Sequence, residues 1–201
     1  QSFQRLAYHV FDEVGGSRKV LEETGKNLVL RKEAQGIEDK LTVLRPNISR
    51  MGYIGEIKSL LSELMQYNIS PEQLRAYINS GKLSPVLAAN LSDVLVMYEG
   101  FNDFMKDKYI TAEELLNVLK GVAGDSEILR DSVLVFDEFT GFTPVQNELM
   151  SELLKICEQI YVTLTIDSRE EGAFYNCTGM HELFYMPKKT IRSLMKMAGD
   201  L

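Results

Sequence analysis

The chain has 201 residues, of which 45% are hydrophobic and 25% are charged, which excludes the disordered, collagen-like and fibrous classes. No apolar run approaches the roughly 18 residues that a membrane-spanning helix needs. The formal net charge of −7 gives no general attraction to a phosphate backbone, so any contact with DNA needs a local patch or further domains.

The amino terminus carries neither an initiator Met nor the basic and then apolar pattern of a secretion signal. We therefore expect a cytoplasmic piece that begins inside a longer protein. Two cysteines, Cys157 and Cys177, and two histidines, His9 and His181, lack the spacing of metal ligands. The sequence predicts that both thiols are reduced.

Residues 2–122 carry mostly helical patterns. Apolar residues recur at helical spacing, and three boxes of the form Ser/Thr-x-x-Glu/Gln mark helix starts at Ser70, Thr111 and Thr143. Pro46 makes residues 41–50 ambiguous. Three predicted helices cover residues 2–14, 20–34 and 56–67, and Gly15-Gly16 ends the first of them. Three more are predicted from Ser70 to near Gly81, from Ser84-Pro85 onward as a long helix, and from Thr111 to Gly121.

The pattern changes after Asp131. Residues 132–136, SVLVF, form a short apolar run typical of a strand that is buried on both faces. A helix capped by Thr143 and a second apolar run over residues 160–166 follow, which together predict a parallel β-α-β unit. Two strands are too few for a stable sheet, so residues 167–201 supply the rest or it lies outside the chain. A last helix is predicted over residues 190–197.

These patterns predict a mostly helical α/β fold. We divide it into a helical domain, residues 1–126, and a partial parallel-sheet core, residues 127–201.

The most specific local feature is Asp137-Glu138, directly after the first predicted strand. In parallel sheets, ligands bind at the carboxyl ends of strands. In ATPases with a phosphate-binding loop, an acid at this place holds Mg²⁺ and a following Glu positions the attacking water. The alternative is that both acids simply begin a solvated loop. Phe139 and Phe142 flank this turn and either plug the rim of the sheet or stack on DNA bases.

Two other candidate sites are weak. A phosphate-binding loop needs a Gly-rich run ending in Gly-Lys-Ser/Thr, which the sequence lacks; Gly15-Gly16-Ser17-Arg18-Lys19 is nearest but follows a helical pattern. Residues 103–114 have acids at three calcium-loop positions but Lys108 where glycine is required. The capping box at Thr111 explains Glu114 without calcium.

Residues 131–146, DSVLVFDEFTGFTPVQ, resemble the second helicase motif of superfamily 1 helicases of the UvrD and Rep kind. The form Phe-Thr-Gly-Phe-Thr-Pro is similar to that of AddB/RexB subunits in particular. The opening, Ser2-Phe3-Gln4-Arg5-Leu6-Ala7, resembles the Thr-Phe-His segment after the first motifs of these helicases. The helical region between the two segments matches the helical insertion of the first helicase domain.

This resemblance implies a part of a helicase-like subunit that works with an AddA/RexA-type partner on broken DNA ends in bacteria. By position, Asp137 is implied as the magnesium-associated acid and Glu138 as the hydrolytic carboxylate, with Gln146 near the nucleotide. Ser2, Phe3 and Arg5 are implied to lie near single-stranded DNA. Mg-ATP and an iron–sulfur cluster are implied for the parent, and no cofactor is expected in this piece.

The sequence departs from the family's pattern in two places. Many AddB sequences carry Gly after the Asp, whereas this chain retains Glu138. Residues 165–169, TIDSR, lack the Gly-Asp-x-x-Gln run of active motors. These departures predict a largely structural, DNA-guiding helicase fold that does not catalyse alone. The alternative is an all-helical interaction module with no nucleotide or DNA role.

Overall fold

The computed structural model describes residues 2–15, 19–48, 50–106, 108–170 and 179–199. Over these residues the chain forms helices joined by short connections, with two strands near its carboxyl-terminal end. The elements in chain order are α1 (Phe3–Val14), α2 (Glu23–Gly36), α3 (Met51–Gln66), α4 (Pro71–Ile78), α5 (Pro85–Met105), α6 (Ala112–Val122), α7 (Glu127–Arg130), β1 (Val133–Phe136), α8 (Pro144–Ile156), β2 (Gln159–Val162) and α9 (Tyr185–Gly199).

The chain folds as two compact units. One contains residues 1–17 and 116–201, and the other contains residues 18–115. Helix α6 begins in the second of these and ends in the first. The division into residues 1–126 and 127–201 that the sequence suggests stays a prediction.

The unit of residues 18–115 is a helical array around one apolar core, in which Leu30, Met97 and Phe101 are almost fully buried. A buried carboxylate fixes its irregular segment. Asp93 of α5, only 2% exposed, accepts hydrogen bonds from the backbone N–H groups of residues 42, 43 and 44 at 3.0, 2.7 and 2.8 Å. The charge therefore satisfies three amides that no helix or strand satisfies.

The unit of residues 1–17 and 116–201 is built on a parallel pair of strands. β1 pairs with β2 in a register that sets Val133 opposite Gln159 and Phe136 opposite Val162. The chain between them passes through α8, whose Leu149, Met150 and Leu153 are fully buried. The predicted β-α-β unit and the mostly helical α/β fold class are thus confirmed.

A carboxylate also anchors the first helix in this unit. Glu13 of α1 accepts from the Ser126 hydroxyl at 2.5 Å and from the N–H groups of Glu127 and Ile128 at 2.9 and 3.1 Å. These bonds lower the pKa of Glu13, and the Ser126 hydroxyl contributes most.

The prediction that the first strand is buried on both faces is wrong. Phe136 is 8% exposed, but Val133 and Val135 are 50% and 62% exposed. Side chains alternate between the two faces of a strand, and over the described residues only the face of Leu134 and Phe136 is covered.

Several helices and one strand begin or end a few residues away from the positions that the sequence predicts. α3 and α9 begin five residues earlier than predicted, and β2 ends at Val162 rather than near residue 166. Among the described residues of the region 41–50, the regular structure is limited to a short 3₁₀ turn, Arg45–Asn47. Among the described helices, none is both long and apolar enough to cross a membrane.

Candidate functional site at the end of the parallel strands

The acidic doublet lies where β1 ends. The Asp137 carboxylate is exposed and accepts a hydrogen bond from the hydroxyl of Thr163 at 2.5 Å. The same hydroxyl accepts from the backbone N–H of Glu138 at 2.9 Å, and the N–H of Thr163 donates to the Phe136 carbonyl at 2.9 Å. Thr163 therefore ties the carboxyl ends of both strands together and fixes the direction of Asp137.

Thr163 is a residue that the sequence patterns did not single out. The parallel pairing places Thr163 beside Asp137: Phe136 pairs with Val162, and Asp137 and Thr163 are the residues that follow them. An exact register was needed to see this, and the predicted second strand started one residue late and ended four residues late.

Glu138 has an unusual backbone. Its φ is +57°, in the left-handed region where glycine is favoured and a side chain costs about 1–2 kcal/mol. The side chain is exposed and makes no ion pair among the described residues. The turn after the strand thus places the Glu138 side chain outward.

Four phenylalanine rings, from residues 3, 136, 139 and 142, pack beside the doublet. The rings of Phe139 and Phe142 stack with centroids 5.0 Å apart, and Phe136 meets both of them edge-on at 5.7 and 5.9 Å. Phe3 of α1 contacts Phe136 at 5.5 Å and Phe139 at 6.0 Å. We call these four residues the phenylalanine cluster.

An open cleft of about 650 Å³ runs beside the cluster. Its walls are formed by Ser2, by Phe3 and Leu6 of α1, and by residues 133–137 and Phe139. Three sequence-predicted residues, Ser2, Phe3 and Phe139, thus share one cleft with Asp137. A cleft of this size and mixed lining is large enough for a nucleobase or a nucleotide unit.

The remaining predicted residues have local roles. The Ser2 hydroxyl caps α1 by accepting from the N–H of Arg5 at 3.4 Å, and the Arg5 side chain is exposed. The Gln146 carboxamide accepts from the N–H of Thr143 at 2.9 Å, while the Thr143 hydroxyl accepts from the N–H of Gln146 at 3.4 Å. This reciprocal capping box is sufficient to explain Gln146 as the start of α8.

The described residues do not by themselves form a site for magnesium-bound ATP. Asp137 accepts one bond from Thr163, the carboxamide oxygen of Gln146 serves the cap, and the sequence has no Gly-Lys-Ser/Thr loop to hold phosphates. In the part of the chain that the structure describes, no three His, Cys, Asp or Glu side chains lie together as a metal site. Residues 16–18 of the weak loop candidate, Asp107 of the weak calcium-loop candidate and Cys177 lie outside the described residues.

The capping box predicted at Thr111 is confirmed. Its N–H donates to Glu114 at 2.8 Å, and its hydroxyl accepts from the Glu114 N–H at 3.1 Å. Glu114 is thereby accounted for as a capping residue. Cys157 is half-buried next to Ser132, and burial raises the pKa of its thiol.

A parallel β-α-β unit whose first strand ends in an acidic pair, carried by a mostly helical chain, defines a small, mostly helical α/β protein. Comparison with known families gives its family: the model described as "ADDB, N-terminal" matches residues 1–201. The chain belongs to the AddB N-terminal family.

Its relatives are bacterial proteins, each named as the B subunit of an ATP-dependent helicase/deoxyribonuclease. The chain is 37% identical over 198 residues to the one from Lachnoclostridium phytofermentans, which covers 98% of this chain and 17% of that protein. It is 30% identical over 200 residues to that of Clostridium acetobutylicum and 27% identical over 201 residues to that of Alkaliphilus oremlandii, again over 17% of each protein. The chain thus spans about a sixth of the length of these relatives.

Proposed function

We propose that this chain is the helicase-like, DNA-guiding region of a helicase–nuclease subunit that processes double-strand breaks, and that it does not hydrolyse ATP by itself. The observation that carries the proposal is the shared cleft: partly exposed rings of the phenylalanine cluster lie beside an acid fixed by Thr163. Aromatic rings on an open cleft are the usual platform for unpaired bases, at about 1–3 kcal/mol per stacked base.

In this proposal Phe3, Phe139 and Phe142 contact single-stranded DNA, with Ser2 and Arg5 at the same end of α1. The two-stranded sheet and the exposed valines of β1 support a sheet that is extended and covered outside this chain, because an isolated two-stranded sheet is marginal in water. Such an open sheet argues against a self-contained, all-helical interaction module.

In the intact subunit, the two acids keep the positions of the motor acids without a role in hydrolysis. We propose that Asp137 associates with magnesium there, that Glu138 occupies the position of a hydrolytic carboxylate, and that Gln146 lies near the nucleotide. The subunit is proposed to act with an AddA/RexA-type partner, and any iron–sulfur cluster belongs to another region. The helical domain is proposed to be the insertion of the first helicase domain.

Binding of a fluorescent single-stranded oligonucleotide to the 201-residue chain, measured by anisotropy, tests the DNA-guiding role. Phe139→Leu keeps most of the apolar volume but removes the aromatic face, so we expect affinity to fall about 5- to 100-fold. Tyr77→Ala, an exposed aromatic in the unit of residues 18–115, is the matched control and should leave affinity unchanged. Equal affinity of Phe139→Leu and the parent chain contradicts the stacking role.

ATP hydrolysis by the full-length subunit tests the second half of the proposal. We expect Glu138→Gln to leave any DNA-stimulated ATPase rate unchanged. A DNA-stimulated rate that disappears in Glu138→Gln would overturn the view that this region is structural.

A further inference from the structure

The last helix, α9, carries basic side chains and no acidic ones. Four of its 15 residues are Lys or Arg and none is Asp or Glu, although the whole chain has a net charge of −7. Three of the four, Lys189, Arg192 and Lys196, are exposed. At 100° and 1.5 Å per residue they fall within an arc of about 60° and a length of about 10 Å.

These three charges have no acidic partners among the described residues. The fourth, Lys188, is different: it is buried and pairs with Glu182 at 2.9 Å. Lys189 lies 6.0 Å from the ring centre of Tyr185, a contact that carries no opposite charge. Like charges three and four residues apart destabilise a helix slightly, so the basic stripe of Lys189, Arg192 and Lys196 costs stability unless an anion binds it.

The stripe lies on a helix that packs beside the phenylalanine cluster. The Thr190 hydroxyl lies 3.2 Å from the carbonyl oxygen of Thr140 and 2.9 Å from that of Met186 in its own helix. Gly141 is equally close, because a Cβ there would lie 3.4 Å from both the Met186 methyl carbon and the Thr190 hydroxyl. Residues 140 and 141 join Phe139 to Phe142, so α9 rests on the turn that presents the stacked rings.

We propose that Lys189, Arg192 and Lys196 bind the phosphodiester backbone of a DNA strand whose bases lie on the phenylalanine cluster. This inference rests on the proposed DNA-guiding function. Three exposed cations along one face of the helix can contact up to three backbone phosphates, each of which carries one negative charge. The two features divide the work, because the rings take bases of any sequence and the cations take the backbone.

An anionic membrane surface is the competing ligand for a basic helix, and the surroundings of α9 disfavour it. A membrane-surface helix inserts an exposed apolar face into the lipid. In α9, Pro187 and Thr190 are buried on the side facing away from the stripe, and the exposed methionines, Met186 and Met195, lie about 180° apart around the helix, so they form no single apolar face.

The test compares two triple variants of the 201-residue chain in single-stranded DNA binding over a range of salt concentrations. One variant replaces Lys189, Arg192 and Lys196 with Gln. The matched control removes the same charge from three exposed lysines in the unit of residues 18–115, which are Lys19, Lys40 and Lys82.

Each lost phosphate contact should reduce the slope of log affinity against log salt by about 0.7, so the stripe variant should lose about 2 slope units. If affinities converge near 1 M salt, this corresponds to about 100-fold weaker binding at 0.1 M. The control variant should keep the slope and the melting temperature of the parent chain. The stripe variant should melt at that temperature or slightly above it, because like charges are removed from α9.

The outcomes separate the two proposals. If the parent chain binds DNA and the stripe variant has the same salt slope as the parent chain, the phosphate-binding role of the stripe is overturned while the base-stacking role of the phenylalanine cluster stands. If Phe139→Leu has no effect but the stripe variant loses binding, the base-stacking role fails and the phosphate-binding role stands. If the parent chain binds no DNA, both fail. Tighter binding to phosphatidylserine vesicles than to DNA, lost in the stripe variant, would also overturn the assignment.

Discussion

Glycine at position 138 should make this protein more stable, although glycine normally weakens a fold. The φ of +57° at Glu138 costs a side-chain-bearing residue about 1–2 kcal/mol. Glycine avoids that cost but gains about 0.4–1 kcal/mol of extra freedom in the unfolded chain. Glu138→Gly should therefore be about 0.5–1 kcal/mol more stable than Glu138→Ala, which keeps the strained φ.

The magnitude follows from backbone geometry alone, because the Glu138 side chain is exposed and its N–H bond to Thr163 is kept in every variant. Lys106 provides the control. It is exposed and has an ordinary φ of −50°, so the order of stability is reversed at this position. Lys106→Ala should be about 0.4–1 kcal/mol more stable than Lys106→Gly.

Chemical denaturation of the four variants measures these differences, and thermal melting should show a shift of about 2–4 °C per kcal/mol. The prediction is thus an inversion of the glycine–alanine order between positions 138 and 106. If alanine is as stable as glycine at position 138, the turn does not hold the left-handed backbone, and the outward placement of Glu138 is wrong.

Three further predictions concern carboxylates and the hydroxyl that hold the fold. Asp93→Ala leaves three inward amide groups without an acceptor and should lower the free energy of unfolding by roughly 3–5 kcal/mol in urea; a loss below about 1 kcal/mol would contradict the anchor role. The pKa of Glu13 is lowered by Ser126, so its stabilisation is present above the ordinary pKa of 4.5 and disappears as the pH falls through the lower folded value. Melting temperatures between pH 6 and pH 3 should fall more steeply for the parent chain than for Glu13→Gln, and parallel curves would refute this. Thr163→Val should cost about 1 kcal/mol while Thr163→Ser retains stability, since only the hydroxyl bonds Asp137; an equal loss in both variants would show that the methyl group matters instead.

The elements that sequence predicted well are those whose causes are local. The capping boxes at Ser70, Thr111 and Thr143 are all formed, because each needs only a side chain and a backbone group three residues away. Strand β1 and the β-α-β order were also predicted, because both depend on residues that are close together in the chain. Helix ends were less exact, as at α9, where buried Pro187 and Lys188 lie before the predicted start.

The candidate site divides in the same way. The position of Asp137 and Glu138 at a strand end was determined by the sequence, since a strand followed by acids needs no distant partner. The tertiary structure alone decided that Thr163 holds Asp137, that four phenylalanines from two separate segments meet, and that Val133 and Val135 stay exposed. These features depend on strand register and on which face is covered. Both are set by packing between residues far apart in the chain, and local periodicity carries no information about such packing.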